Sequence, residues 1–206
     1  DSIQQLLVLY DCYRKLAPEA EPLDDFIYWG SVMLSDFNDA DKYLADPEKL
    51  WKNVEDFKSL QDLSFLNEEQ QKAISEFLGH FKQDFGQDGS IKKKFLQIWN
   101  LLLPLYNSFN EALHEKGISY EGRIYRTLAK KLESESVTDI LNRSFEPDTK
   151  LVFAGLNALN ECEKALLIKM KKAQIADFCW DFSSAEIKDP ENKSAFFMTK
   201  NIEVFG

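Results

Sequence analysis

The sequence is short of the residues that most site chemistry needs. Its three cysteines, Cys12, Cys162 and Cys179, lie far apart with no CxxC pair, and neither of its two histidines, His80 and His114, is close to one. So sparse and odd a cysteine count supports no disulfide framework and fits a reducing compartment. Without a Cys/His grouping at ligand spacing, no metal site is expected. Cations are a minority as well: 25 Lys and Arg against 35 Asp and Glu leave a net charge of -10. That balance excludes a chain that coats nucleic acid with its whole surface, while leaving room for one local basic face. No apolar run reaches the roughly 18 residues of a membrane span. The opening DSIQQLLVLYDCYRKL lacks the basic stretch and small-residue cleavage site of a secretory leader. A cytoplasmic chain without membrane contact is the expectation. Its opening inside an apparent helix reads as an internal piece of something longer.

What the sequence does have is core material. Hydrophobic residues make up 44%, with 16 phenylalanines, enough to pack a 206-residue chain rather than leave it disordered. Most of it follows a helical period. Ile3, Leu6, Leu7, Tyr10 and Tyr13 form one stripe, stopped by Pro18; Phe26, Trp29, Met33 and Phe37 form the next. Asp46 before Pro47 is an N-cap and first-turn signal for a helix continuing through Leu50, Val54 and Phe57. NEEQ, Asn67 to Gln70, reads as a capping box for a helix carrying Ile74, Phe77, Phe81 and Phe85, and GQDG, Gly86 to Gly89, ends it. Ser90 then caps the longest helix, with a kink expected at Pro104 and a C-cap at Gly117. Ser119 opens another, YEGRIYRTLAKKLESES.

The pattern changes near residue 147. LVFAG is too short for a helix and reads as a strand buried on both faces, as in parallel sheets. A helix with Leu159, Leu166, Leu167 and Met170 on its apolar side follows. In IADFCWDF, Ala176, Phe178, Trp180 and Phe182 alternate with Asp177, Cys179 and Asp181, and Asp189-Pro190 opens a last helix. The fold class expected is mainly α with a small parallel β component, the strands forming part of a βαβ unit.

Two segments carry a family resemblance. LSDFNDADKYLADPEKLWKN resembles a segment of superfamily-I DNA helicases of the UvrD/RecB type, and LVFAGLNALNECEKALL resembles the metal-motif strand and helix of their AddB-like branch. With FIYWGSVMLSDF and SYEGRIYRTLA they resemble, in order, a bacterial protein of the AddB-like helicase/PD-(D/E)XK nuclease family. The resemblance implies that residues 1–45 and 146–206 belong to a RecA-like, P-loop-type α/β domain, and that residues 46–145 are a helical insertion subdomain. It also implies what is missing: the chain has no GxxxxGK[ST] and no PD-(D/E)XK pattern. ATP, magnesium and exonuclease activity would belong to the full-length parent, acting in DNA end processing and recombination repair with a helicase-nuclease partner subunit. The fragment itself would use no cofactor.

Within that resemblance Ala154 stands where the metal-holding Asp is expected and Gly155 matches the glycine. A methyl group cannot ligate a cation. Glu161 and Glu163 follow only seven and nine residues later, where Asn157 or Asn160 capping the helix, with both glutamates at its positive end, is the simpler reading. Asp36, Asp39 and Asp41 fail the calcium-loop pattern at Ala40, so SDFNDAD reads as a turn plus cap. Cys162 reads as core and Asp181, beside a buried Trp180, as an edge acid. The remaining functional expectation is DNA. Arg123, Arg126 and Lys130, with Lys131 beside them, recur at helical steps, and Tyr120 and Tyr125 offer rings for base stacking. Ile124, Tyr125, Leu128 and Leu132 would then bury the opposite side. Lys92 to Lys94 are a second cationic candidate, and Lys169 to Lys172 suit a helix C-terminus without any ligand. A helical protein-interaction module with no nucleic-acid role is the alternative.

Overall fold

The computed structural model describes residues 1–18, 20–52, 90–181, 189 and 193–206. The helix expected after NEEQ and the break at GQDG lie outside the described residues, as do Val54, Phe57 and Phe182. The described chain is mostly helical with a two-stranded parallel sheet, the expected class. Among the described residues no helix is long and apolar enough to cross a membrane.

Chain order is α1 Ser2–Leu16, α2 Leu23–Lys42, α3 Pro47–Lys52, α4 Ser90–Glu115, α5 Glu121–Ser134 and α6 Val137–Leu141. Then come β1 Leu151–Ala154, α7 Glu161–Lys172, β2 Ala176–Cys179, a 3-10 turn at Lys193–Ala195 and α8 Phe196–Phe205. The described helix starts at Phe196; Pro190, where its opening was expected, lies outside the described residues. Contacts divide the chain into two units, residues 1–35 with 46–119 and residues 36–45 with 120–206. One crossing falls at 45/46, as expected; the others fall at 35/36 and 119/120, and none falls near 145/146.

In the first unit α4 packs along α1 and α3. Val8, Leu9, Cys12 and Tyr13 of α1 are buried, as are Leu105, Tyr106, Phe109 and Leu113 of α4. Four rings knit α1 to the first half of α2. Phe26 lies 5.0 Å from Tyr10, 5.1 Å from Tyr13 and 4.6 Å from Trp29, centroid to centroid, and Tyr13 meets Trp29 edge-on at 4.9 Å. These separations suit aromatic pairs. The Tyr13 hydroxyl donates to Glu21 Oε2 at 2.7 Å and Tyr10 to the Glu21 carbonyl at 2.9 Å, fixing the loop between the helices. Burial, then the bond to Glu21, push the Tyr13 phenol well above its ordinary pKa. α4 runs on through Pro104 to Glu115, and Gly117 takes φ 65° just beyond it, as a C-cap glycine does.

In the second unit β1 and β2 pair in parallel, Leu151 opposite Ala176 and Phe153 opposite Phe178. Leu132, Val137, Leu167, Met170, Ala176 and Phe205 form the buried cluster, and Leu151, Phe153, Phe178 and Trp180 pack against it. β2 alternates as its sequence predicts. β1 does not match its expectation of burial on both faces: Val152 is 63% exposed and Ala154 is exposed, so the sheet is covered on one face. An apolar run of four cannot show which of its residues find a second layer.

Candidate functional site

Three elements of the second unit build the site: the last turns of α2, helix α5 and the start of α7. SDFNDAD is not a turn; α2 stays helical to Lys42 and carries Phe37, Ala40 and Asp41 inward as one buried stripe. α5 can approach because position 122 is glycine. Any Cβ there would collide with the Asn38 carbonyl oxygen, and the Gly122 N–H donates to Asn38 Oδ1 at 2.8 Å.

Asp41 is 0% exposed. A buried carboxylate is costly unless paired and hydrogen-bonded, and here it is both. Its Oδ1 lies 2.5 Å from Arg126 Nε, and its Oδ2 accepts from the Tyr120 hydroxyl at 2.6 Å. Arg126 Nη2 donates to the carbonyls of Ala40 at 2.8 Å and Ala45 at 2.5 Å, tying the guanidinium to the backbone at and just beyond the end of α2. The Cys162 thiol of α7 donates to the Asp41 carbonyl at 3.3 Å. Burial pushes that thiol's pKa up; Asp41, Glu163 and Glu161 add to the rise and Arg126 opposes it. Such a thiol is a packing group, not a nucleophile. At the rim Lys42 pairs with Glu121, Tyr125 donates to Glu121 Oε1 at 3.1 Å, and Lys42 Nζ sits 5.6 Å from the Tyr125 ring centre.

The five expected DNA-contacting residues therefore separate. Arg126 and Tyr120 are both 6% exposed and committed to Asp41, so Tyr120 is no stacking platform and Arg126 is not on an open face. Lys130 and Lys131 are exposed and Arg123 half-exposed. With Thr127 and Ser134, and with Arg126 beneath, they line an open groove of about 370 Å³. The buried side of α5 is Gly122, Arg126, Ala129 and Leu132, while Ile124 is exposed. The sequence expectation chose the more hydrophobic Ile124, but close approach to α2 selects the small residues. The pairing of Asp41 with Arg126 and Tyr120, and of Lys42 with Glu121, was not expected from the sequence. The available signal was a charged residue one turn beyond Phe37, in register with an apolar stripe.

At the end of β1, Ala154 is exposed and Gly155 turns the chain with φ 69°. The acids beyond it are engaged locally. Asn160 caps α7, accepting from Glu163 N at 2.9 Å, and Glu163 Oε2 accepts from Asn160 N at 2.8 Å, a closed capping box. Glu161 pairs with Lys164 at 2.7 Å. Asn157 is not the cap; its carbonyl accepts from the buried Asn201 side chain at 2.7 Å. Among the described residues no group of three or more His, Cys, Asp or Glu is placed to hold a metal ion. Lys171 reaches the carbonyls of Val204 and Gly206, and the side chains of Lys92 to Lys94 lie outside the described residues. Comparison with protein-family models, curated proteins and solved structures finds no match to this chain.

Proposed function

We propose that this chain is a non-catalytic scaffold segment of an AddB-like DNA helicase/nuclease, and that it contacts single-stranded DNA along the groove of α5. ATP- and magnesium-dependent chemistry, and the helicase-nuclease partner, belong to the rest of such a parent. The observation that carries the reading is the exposed pair Lys130 and Lys131 along one open groove. A pair of cations on a helix meets successive phosphates without reading sequence. The strand end supports the non-catalytic half: Ala154 offers no ligand, and Glu163 is closed into a cap. Magnesium-dependent ATP binding in the micromolar range is not expected of the chain, and calorimetry checks this.

The test of the DNA half is fluorescence anisotropy of a labelled single-stranded oligonucleotide at low salt. The net charge opposes approach, so binding is expected to be weak, near 10⁻⁴ M, about the weak end of non-specific affinity. Lys130→Glu with Lys131→Glu, both exposed and therefore compatible with folding, is expected to abolish it. Equal binding by that variant overturns the reading. A protein-interaction module is then favoured by α8, where Phe196, Phe197 and Val204 are exposed and Lys200 Nζ lies 4.2 Å above the Phe196 ring. Association through that face would persist at high salt.

A further inference from the structure

The first half of helix α2 is apolar on two opposite sides. Its inner side, Phe26, Gly30 and Met33, is buried, with the rings of Tyr10, Tyr13 and Trp29 around Phe26. Half a turn round, Ile27, Tyr28, Ser31, Val32 and Ser35 recur at helical steps and are all exposed. Ile27 is 42% exposed, Val32 48% and Tyr28 81%. Three neighbouring apolar side chains on one outward face differ from the single scattered ones of an ordinary surface. Asp24 lies on the same face and Asp25 at its edge, both exposed in the first turn of the helix. No cation offsets them along the chain: residues 16–41 contain repeated Asp and Glu but no Lys or Arg.

We propose that this outer face of α2 docks an amphipathic helix of a partner protein, whose apolar side chains cover Ile27, Tyr28 and Val32 and whose Lys or Arg residues meet Asp24 and Asp25. Charge selects the occupant. Nucleic acid or an anionic membrane surface would bring further negative charge against the two aspartates and is repelled. A second copy docking through the same face would set those aspartates against their own counterparts across a twofold contact. A cationic helix is attracted instead, and helix packs on helix by seating side-chain ridges in grooves. Tyr28 supplies the anchor, a large ring with a polar tip and few rotatable bonds to immobilise. The proposal does not rest on the α5 groove: this face repels what that groove attracts, so either can fail without the other.

The experiment titrates the whole ¹⁵N-labelled chain with two synthetic helical peptides that share one leucine stripe, flanked by lysines in the first and by glutamates in the second, and follows the backbone amide signals. The expected result is a saturable shift centred on residues 24–35 with the lysine peptide and none with the glutamate peptide. Tyr28→Ser, at a position exposed enough to leave the fold intact, should weaken the lysine peptide about tenfold, the scale of one buried ring. Asp24→Asn with Asp25→Asn should weaken it too. Equal binding of both peptides overturns the choice of a cationic partner. Shifts scattered over other acidic residues and unchanged by Tyr28→Ser overturn the surface itself. Shifts at residues 24–35 that grow with protein concentration before any peptide is added make a second copy the occupant and overturn the proposal, as does the absence of any response.

Discussion

Helix α2 is fixed by opposite means in its two halves. Its first half, in one unit, is held by rings: Phe26 and Trp29 against Tyr10 and Tyr13. Its last turns, in the other unit, are held by a buried ion pair and its hydrogen bonds: Asp41 with Arg126 and Tyr120. Apolar packing is non-directional, and its strength follows the area removed from water. A buried ion pair adds little net stability over well-packed apolar groups, but losing one partner leaves a charge stranded. The first contact therefore supplies stability, and the second specifies which residues of α5 face α2, and with them which cations face outward.

The largest effects separate these roles. Arg126→Ala is expected to destabilise by about 3–5 kcal/mol, because Asp41 is left buried and unpaired. Phe26→Ala should lose a similar amount, about 3–5 kcal/mol, through the cavity it opens. The two then diverge. An Asp41→Leu, Arg126→Met pair should regain most of the loss, as replaced buried ion pairs do. Denaturant unfolding of the three variants checks this. A double variant as unstable as Arg126→Ala would mean that the pair supplies stability outright and would erase the contrast.

A smaller and sharper comparison deletes one hydroxyl from each region. Tyr120→Phe removes a donor from a fully buried carboxylate oxygen and is expected to cost about 1–3 kcal/mol. Tyr13→Phe removes a donor from Glu21, which keeps access to water, so about 1 kcal/mol is expected. Thermal melts of both variants would show equal losses if burial of the acceptor did not matter.

How much of this was legible beforehand follows the same divide. The aromatic stripe of α2, the capped α7 and the alternation of β2 could be read, because each is a local pattern of side-chain character. The Asp41–Arg126 pair could not, because its residues are far apart in the chain and each looks like a surface charge by itself. Gly122 and Ala129 disguised the buried side of α5 for a related reason: they are buried because they are small, not because they are hydrophobic. Of the five residues expected to meet DNA, the groove keeps Arg123, Lys130 and Lys131 on its open side and spends Arg126 and Tyr120 on Asp41.

The smallest effect lies at the rim of the ion-paired region. The bond from Lys42 holds the Glu121 carboxyl below its ordinary 4.5, and the same bond holds Lys42 above 10.5. Glu121 contributes stability that is present above its unfolded value and lost as pH falls through the lower folded one. Lys42 contributes stability that is present below its unfolded value and lost as pH rises through the raised folded one. The pair's contribution should therefore be flat from about pH 5 to about pH 10. Solvent screening keeps it small. Melting temperatures of the wild type and Glu121→Gln should differ slightly at neutral pH and converge as acid takes the solution below the lowered folded value of Glu121. A difference that grows in acid would contradict the assignment.

The central claim is that α5 divides its cations, Arg126 inward and the others toward phosphate. The salt dependence of single-stranded DNA binding tests it most directly, because the slope of log affinity against log salt counts phosphates neutralised, at about 0.7 for each on a single strand. Removing Lys130 and then Lys131 by substitution with Gln should flatten the slope by about 0.7 at each step. A slope unchanged by both substitutions, with binding retained, would contradict the account and place any DNA contact elsewhere on the chain.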